Sequence, residues 1–302
     1  MDRFDAMRVF TRVVEQRSFS QAAQDLGLPR STVTDAVRAL EARLGVRLLQ
    51  RTTRFVGPTL EGEAYYRRCI AIIAEVEDAE AGFAGAKPRG ALRVDVQGRL
   101  ARHFLLPGLP AFLAEYPDIS LFMGEGDRMV DLLREGVDCA VRVGTLVDSD
   151  MVARRVGLLR EVTCASPDYI HRHGLPASLE ELTQGHRMIG FYSTATGALL
   201  PLEFMVEGKP QEMLLPAPVA LNGADSLVAA ARQGLGLIQV PRYGVADDLA
   251  AGRLVEILPA FPPSPTPVSL LYPRDRQLPQ RICVFMDWVA RQFAAQAHDG
   301  MV

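Results

Sequence analysis

Arg30, Ser31, Thr34, Asp35 and Arg38 follow one another at steps of one, three, one and three residues, a spacing that gathers them on one face of an α-helix, with Thr32 beside them. Such a face carries guanidinium, hydroxyl and carboxylate groups at side-chain reach. These are the donors and acceptors that meet base edges and phosphates in the major groove of duplex DNA. Any amphipathic helix also has a polar outer face, so the neighbouring segment decides between the two readings. Val46 to Pro58 alternates between Gly45 and Gly57 and holds Arg47, Arg51 and Arg54 with no carboxylate to offset them. That composition suits a short β-ribbon laid along a phosphate backbone. The expected DNA contacts are therefore Arg30, Ser31, Thr32, Thr34, Asp35, Arg38, Arg51 and Arg54.

A second set of candidates lies in the last two thirds of the chain, at turns following apolar runs: Gln97 to Leu100 with Arg99, Gly124 to Asp127 with Glu125, Gly144 with Thr145, Tyr192 to Thr194 with Ser193, and Asn222 to Asp225 with Ala224. In open α/β sheets ligands collect at the carboxyl ends of strands. A helix start such as Asn222 to Asp225 favours an anion. Ordinary turn chemistry also selects Gly, Asn, Asp and Ser.

These groups need elements to hold them. Residues 2 to 16 read as a scaffold helix with the stripe Phe4, Met7, Phe10 and Val14. Ser18 and Gln21 make a capping box for a second helix that Gly27 ends. Pro29 sets the start of a third, whose Val33, Val37, Leu40 and Leu44 form one buried stripe. A long helix then runs from Leu60 to about Ala86, with Tyr65, Cys69, Ile72, Val76, Ala79 and Phe83 at heptad spacing, a seam suited to the same helix of a second copy. Lys87 to Gly90 breaks it. Beyond that point apolar runs and helical periods alternate, from LRVDV to PVSLLYP, which predicts two α/β lobes with a parallel-dominated sheet and a closing helix around Ile282 to Phe293.

LGLPRSTVTDAVRALEARLGVRLLQRTTR followed by PTLEGEAYY closely resembles the N-terminal winged helix-turn-helix of the LysR-type transcriptional regulators. The likeness continues through the order of elements to the C-terminus. It implies a multidomain chain: an all-α winged helix-turn-helix over 1–58, a linker and dimerisation helix over 59–87, and a two-lobed, periplasmic-binding-protein-like α/β effector domain over 88–302. Lobe I would take about 91–162 and 268–302, and lobe II about 163–267, with crossings near Val162 and Pro267. It also implies double-stranded DNA, a small-molecule inducer and self-association as partners, in a homodimer or a tetramer of two dimers, with RNA polymerase as a further candidate. The turns above match the positions at which the family holds its inducer. Arg99, where many relatives have a small hydroxyl residue, points to an organic acid. Two departures stand out. Pro29 replaces a usual Ser, and Asp35 replaces a usual basic or amide residue, so the family's base preference does not carry over.

Net charge is −3, but ten arginines against six carboxylates in residues 1–60 leave +4 there, and the remainder carries −7. One basic module on an acidic body fits a protein that meets DNA with one part only. Cys69, Cys139, Cys164 and Cys283 stand singly without zinc spacing, and they read as buried free thiols in a reducing cytoplasm, with no cofactor. His171 and His173 read as a solvated pair, and GEGDRM lacks the last glycine of a nucleotide loop. The alternative function is an α/β hydrolase or transferase with a DNA-binding head. It lacks GxSxG, HExxH and a histidine at any strand-end turn. A transport solute-binding protein would need an export signal, and Asp2, Arg3, Asp5 and Arg8 occupy that position. No run is apolar and long enough to span a membrane.

Overall fold

The structure is a computed structural model that describes residues 1–52, 55–84, 87–126, 131–144, 151–194, 196–274 and 278–296. Internal contacts divide the chain into two units, 1–91 and 92–302.

In the first unit, α1 (Arg3–Gln16), α2 (Phe19–Leu26) and α3 (Arg30–Leu44) pack around Val9, Phe10, Val13, Ala22, Val33 and Val37. The buried stripe of α1 is thus centred on Val9, Phe10 and Val13, with Met7 and Val14 at its edge. Ser18 caps α2 by accepting from the Gln21 amide at 3.3 Å. Gln21 does not complete the box, because its side-chain amide donates to Asp25 at 3.3 Å. Asp25 also accepts from Gln16 at 2.7 Å and pairs with Arg12 at 3.3 Å, which clasps α1 to α2. Gly27 takes φ +63° and closes the turn, a conformation nearly free of cost only for glycine. Pro29 sits at the cap of α3 rather than inside it. Leu44 is 39% exposed, and the buried face of α3 is Val33, Ala36, Val37 and Leu40.

β1 (Leu49–Thr52) and β2 (Phe55–Pro58) form the antiparallel ribbon, paired Leu49 to Pro58 through Thr52 to Phe55. Glu41 of α3 accepts the amides of Leu48 and Leu49 at 2.9 and 3.1 Å, tying the ribbon to that helix. Thr59 caps α4 (Leu60–Ala84) by accepting from the Gly62 amide at 2.9 Å. Of the expected seam on α4, Cys69 is buried and Tyr65 half-buried against the three-helix core, while Ile72 is 40% exposed. The side chains of Ala79 and Phe83 lie outside the described residues.

The second unit begins with β3 (Gly90–Val96), a short turn α5 (Gly98–Leu100) continued by one wide π-type turn (Ala101–Leu105), then α6 (Leu109–Glu115), β4 (Ile119–Glu125), α7 (Leu132–Glu135) and β5 (Cys139–Val143). β6 (Met151–Leu159) leads to β7 (Glu161–Ala165), α8 (Pro167–His173), α9 (Leu179–Leu182), β8 (Ile189–Tyr192), β9 (Leu199–Leu200), β10 (Leu202–Val206) and β11 (Lys209–Met213). β12 (Val219–Leu221), α10 (Ala224–Arg232), β13 (Ile238–Pro241), α11 (Ala246–Ala250), β14 (Val255–Glu256), β15 (Thr266–Pro273) and α12 (Gln280–Gln296) complete the chain.

One lobe is the five-stranded sheet β4-β3-β5-β15-β6, whose core holds Phe285, Trp288 and Phe293 of α12 together with Phe104 of the wide turn and Phe112 of α6. The other holds the three-stranded sheets β13-β7-β14 and β12-β8-β9 with the hairpin β10-β11. The sheets are mixed, which corrects the parallel-dominated expectation. β3 runs parallel to β5, but β15 is antiparallel to both β5 and β6, and β7 is antiparallel to β13 and β14. The cause is the double crossing: β6 leaves the first sheet at Leu159, β7 starts the second at Glu161, and β15 returns alongside β6 with Thr266 opposite Leu159. Among the described residues no helix is long and apolar enough to cross a membrane.

Candidate nucleic-acid interface and ligand cleft

On α3 the side chains of Arg30, Ser31, Asp35 and Arg38 are exposed, and those of Thr32 and Thr34 are half-buried. All six are on a helix whose opposite face, Val33, Ala36, Val37 and Leu40, is in the core. Thr34 donates its hydroxyl proton to the Arg30 carbonyl at 2.9 Å, so only its oxygen lone pairs and methyl group face outward. Asp35 pairs loosely with Arg38 at 3.9 Å. Of Arg51 only the backbone on β1 is described, and Arg54 lies outside the described residues.

The second unit contains a cleft of about 390 Å³ between its two lobes, lined from one side by Gln97, Arg99, Val143 and Gly144. From the other it is lined by Glu161, Phe191, Leu200, Glu203, Ala224 and Gln239, among others, and the crossing segment Pro263 to Pro267 also lines it. That volume suits a small organic molecule. Arg99 is not a free cation. Its Nε donates to Asp225 at 2.7 Å and its Nη1 to the Gly244 carbonyl. Arg102, carried outward by the wide turn, also grips Asp225 and lies 3.6 Å from Glu125. Burial works to raise the Asp225 carboxyl, yet the hydrogen bonds and charges of Arg99 and Arg102 outweigh it and hold it below the usual range.

Of the expected ligand contacts, Gln97, Arg99, Gly144 and Ala224 line this cleft, while Leu100, Glu125, Ser193, Thr194 and Asn222 do not. Leu100 is wholly buried in the lobe core, because the residue after Arg99 on a helical turn points about 100° away from it. Glu125 is outside the lining, turned to Arg102. Ser193 and Thr194 fall in the tight loop joining β8 to β9, where Gly197 donates to the Ser193 carbonyl at 2.8 Å, since a hairpin and not a helix follows that strand. Asn222 is exposed before α10, and the anion favoured by that helix start is supplied by Asp225 of the chain itself. Thr145 lies outside the described residues.

Three polar lining residues escaped the sequence reading. Gln239 interrupts the apolar run LGLIQV and is fully engaged, accepting from the Glu203 amide at 2.8 Å and donating to the Thr163 hydroxyl at 2.9 Å and the Glu203 carbonyl at 2.8 Å. Glu203 stands between buried Leu202 and Phe204 and accepts from the Ser264 amide at 3.0 Å. Glu161 opens β7, and burial pushes its carboxyl up to about 7, against the hydrogen bond from Thr266 and with the charge of Glu203 adding to the rise. A polar residue inside a strand run that is otherwise buried was the available signal in each case.

Cys69, Cys139 and Cys164 are buried free thiols, and Cys283 is half-buried. Burial raises the Cys69 thiol to about 11 and Cys164 to about 12, which suppresses the reactive thiolate. His173 is no solvated partner of His171: it stacks on Tyr169 at 4.5 Å between ring centres and meets Arg187 at 3.1 Å.

Residues 4–63 match the bacterial regulatory helix-turn-helix of the lysR family, and residues 85–294 match the LysR substrate binding domain. The chain is 38% identical to the HTH-type transcriptional regulator YhjC of Escherichia coli, over 96% of this chain and 97% of that one. It is 36% identical to an HTH-type transcriptional repressor of Pseudomonas aeruginosa, over 97% and 93%. The solved structure of CrgA, a LysR-type regulator from Neisseria meningitidis, superposes with a TM-score of 0.59 at 32% identity, covering 96% of this chain and 98% of that one. These relatives are named regulators and not enzymes, which sets the hydrolase or transferase alternative aside. With a helix-turn-helix that exposes its third helix and a two-lobed domain that encloses a cleft, both matched along nearly their whole length, this chain belongs to the LysR-type transcriptional regulators, DNA-binding proteins with an effector-binding domain.

Proposed function

We propose that α3 is the recognition helix, with Arg30, Ser31, Thr32, Thr34, Asp35 and Arg38 meeting base edges and phosphates while Arg51 and Arg54 follow the backbone beside the groove. The exposed polar face of α3, backed by a buried apolar one, carries this reading. Two copies joined along α4, where Ile72 is exposed at the seam, would read the halves of an imperfect inverted repeat. Family likeness favours two such dimers in a tetramer, with RNA polymerase as a further contact, and the domain limits 1–58, 59–87 and 88–302 belong to the same proposal. The test is footprinting with Arg51→Ala and Arg54→Ala. Binding should weaken on every sequence, with the salt slope shallower by about one for each phosphate no longer neutralised. An unchanged slope would take the ribbon off the backbone.

The cleft between the lobes is the proposed effector site. A ligand there regulates only by favouring one arrangement of the lobes over another. An organic acid is one reading of the inducer, supported by Arg99 in the lining. Such an acid has to displace Asp225 from Arg99. Calorimetry with carboxylates on wild type and Arg99→Ala tests it, and equal affinities would remove it.

A further inference from the structure

The charged residues lining the cleft are Arg99, Glu161 and Glu203. Arg99 is matched by Asp225 just outside the lining, and Arg102 by Asp225 and Glu125 at the mouth. Glu161 and Glu203 are matched by no cation among the described lining residues.

Donors and acceptors are unequal in the same way. The Gln239 amide nitrogen already serves Thr163 and the Glu203 carbonyl, and the Arg99 guanidinium serves Asp225 and Gly244. An ionised carboxylate accepts at about four positions. The structure gives Glu203 the Ser264 amide and Glu161 the Thr266 hydroxyl, so accepting capacity remains at both. A ligand carboxylate would add a negative group beside Glu161 and Glu203, which like charges oppose. A ligand cation would pair with the Glu203 carboxylate and draw Glu161 into its ionised form, in a partly desolvated cavity where such pairing is stronger than in water. Around them Phe191, Leu200, Leu202 and Val240 offer an apolar wall.

We propose that the cleft takes an organic amine, its protonated nitrogen received by Glu161 and Glu203 and its apolar body lying against Phe191, Leu200 and Val240. This rests on the reading that the cleft is the effector site, and it replaces the organic acid with a cation as the ligand class.

The experiment is calorimetry of the full-length protein at neutral pH with three probes of one shape: phenethylamine, phenylacetate and 2-phenylethanol. The amine is expected to bind at least tenfold more tightly than either of the others. Glu161→Gln and Glu203→Gln should each cut its affinity at least tenfold while leaving the alcohol within about twofold. The two variants guard against misfolding in either one, and a melting curve of each shows that it is folded. Preference for the acid, amine affinity unchanged in both variants, or no amine binding at millimolar concentration overturns the proposal. Leu200→Trp, which fills the cleft from an exposed position, separates the two levels. If the acid is preferred and Leu200→Trp abolishes its binding, the cleft remains the effector site and only the amine is wrong. If Leu200→Trp leaves the binding of every probe unchanged, the cleft reading falls as well.

Discussion

Asp35 is the residue that sets the proposed recognition helix apart, and its consequence is electrostatic. It faces outward beside Arg38 at 3.9 Å, where it would repel phosphate and offset the adjacent guanidinium. Asp35→Asn should tighten binding to arbitrary duplex by a few-fold, about 1 kcal/mol, the scale of an exposed charge pair. Fluorescence anisotropy on random and operator duplexes checks this. Weaker binding on the operator alone would mean instead that Asp35 accepts from a cytosine amino group. Glu161 gives a second prediction at this scale. Burial lifts its carboxyl from an ordinary 4.5 to about 7, the Thr266 hydrogen bond opposing and Glu203 adding. The folded chain thus holds that proton more tightly than the unfolded chain does. The stabilisation from protonation is complete at low pH, is lost as the pH rises through that window, and is gone above about 7. Glu161→Gln should remove that part of the slope. Melting temperatures across the window, compared between the two proteins, would contradict this if they ran parallel.

The elements are fixed by a few close approaches that span them. A Cβ on Gly62 would lie 1.9 Å from the Leu48 carbonyl oxygen, so the first turn of α4 approaches the residue before β1 only because that position has no side chain. Gly62→Ala should cost about 1–3 kcal/mol, as overpacking does, seen as a lower unfolding midpoint of the first unit. A wild-type midpoint would show that α4 can shift freely. The cap at Ser18 and the turn at Gly27 are local, and residue types alone specified them. Gln21 departs from its expected role because Asp25, one turn further on, competes for its amide, and Asp25 in turn is held in place by Arg12 and Gln16 of another helix. Leu44 departs from the expected core because the spacing of an apolar stripe does not say where the packing partner ends.

At the scale of the whole effector unit, Asp225 on α10 of one lobe is held by Arg99 and Arg102 of the other. This ionic clasp joins the two lobes beside the cleft. Asp225→Asn should loosen it, giving a larger radius of gyration for the isolated 92–302 unit in small-angle scattering and a stronger effect at low ionic strength, where such pairs are least screened. An identical scattering profile at low salt would show that the prolines and strands of the crossing hold the lobes without it.

What the sequence determined by itself is what nearest neighbours decide: helices with their caps and breaks, an arginine ribbon, an alternation of strands and helices, and a residue order specific enough to reveal the family. The third dimension decided the rest. Whether β15 runs parallel or antiparallel to β5 is decided between segments as far apart in sequence as Val143 and Val268, and whether Arg99 is free depends on a carboxylate at position 225. Glu161, Glu203 and Gln239 share one cavity because two sheets and a crossing strand close around them. No window of sequence contains that juxtaposition, because hydrogen bonding and burial act between atoms that folding alone brings together.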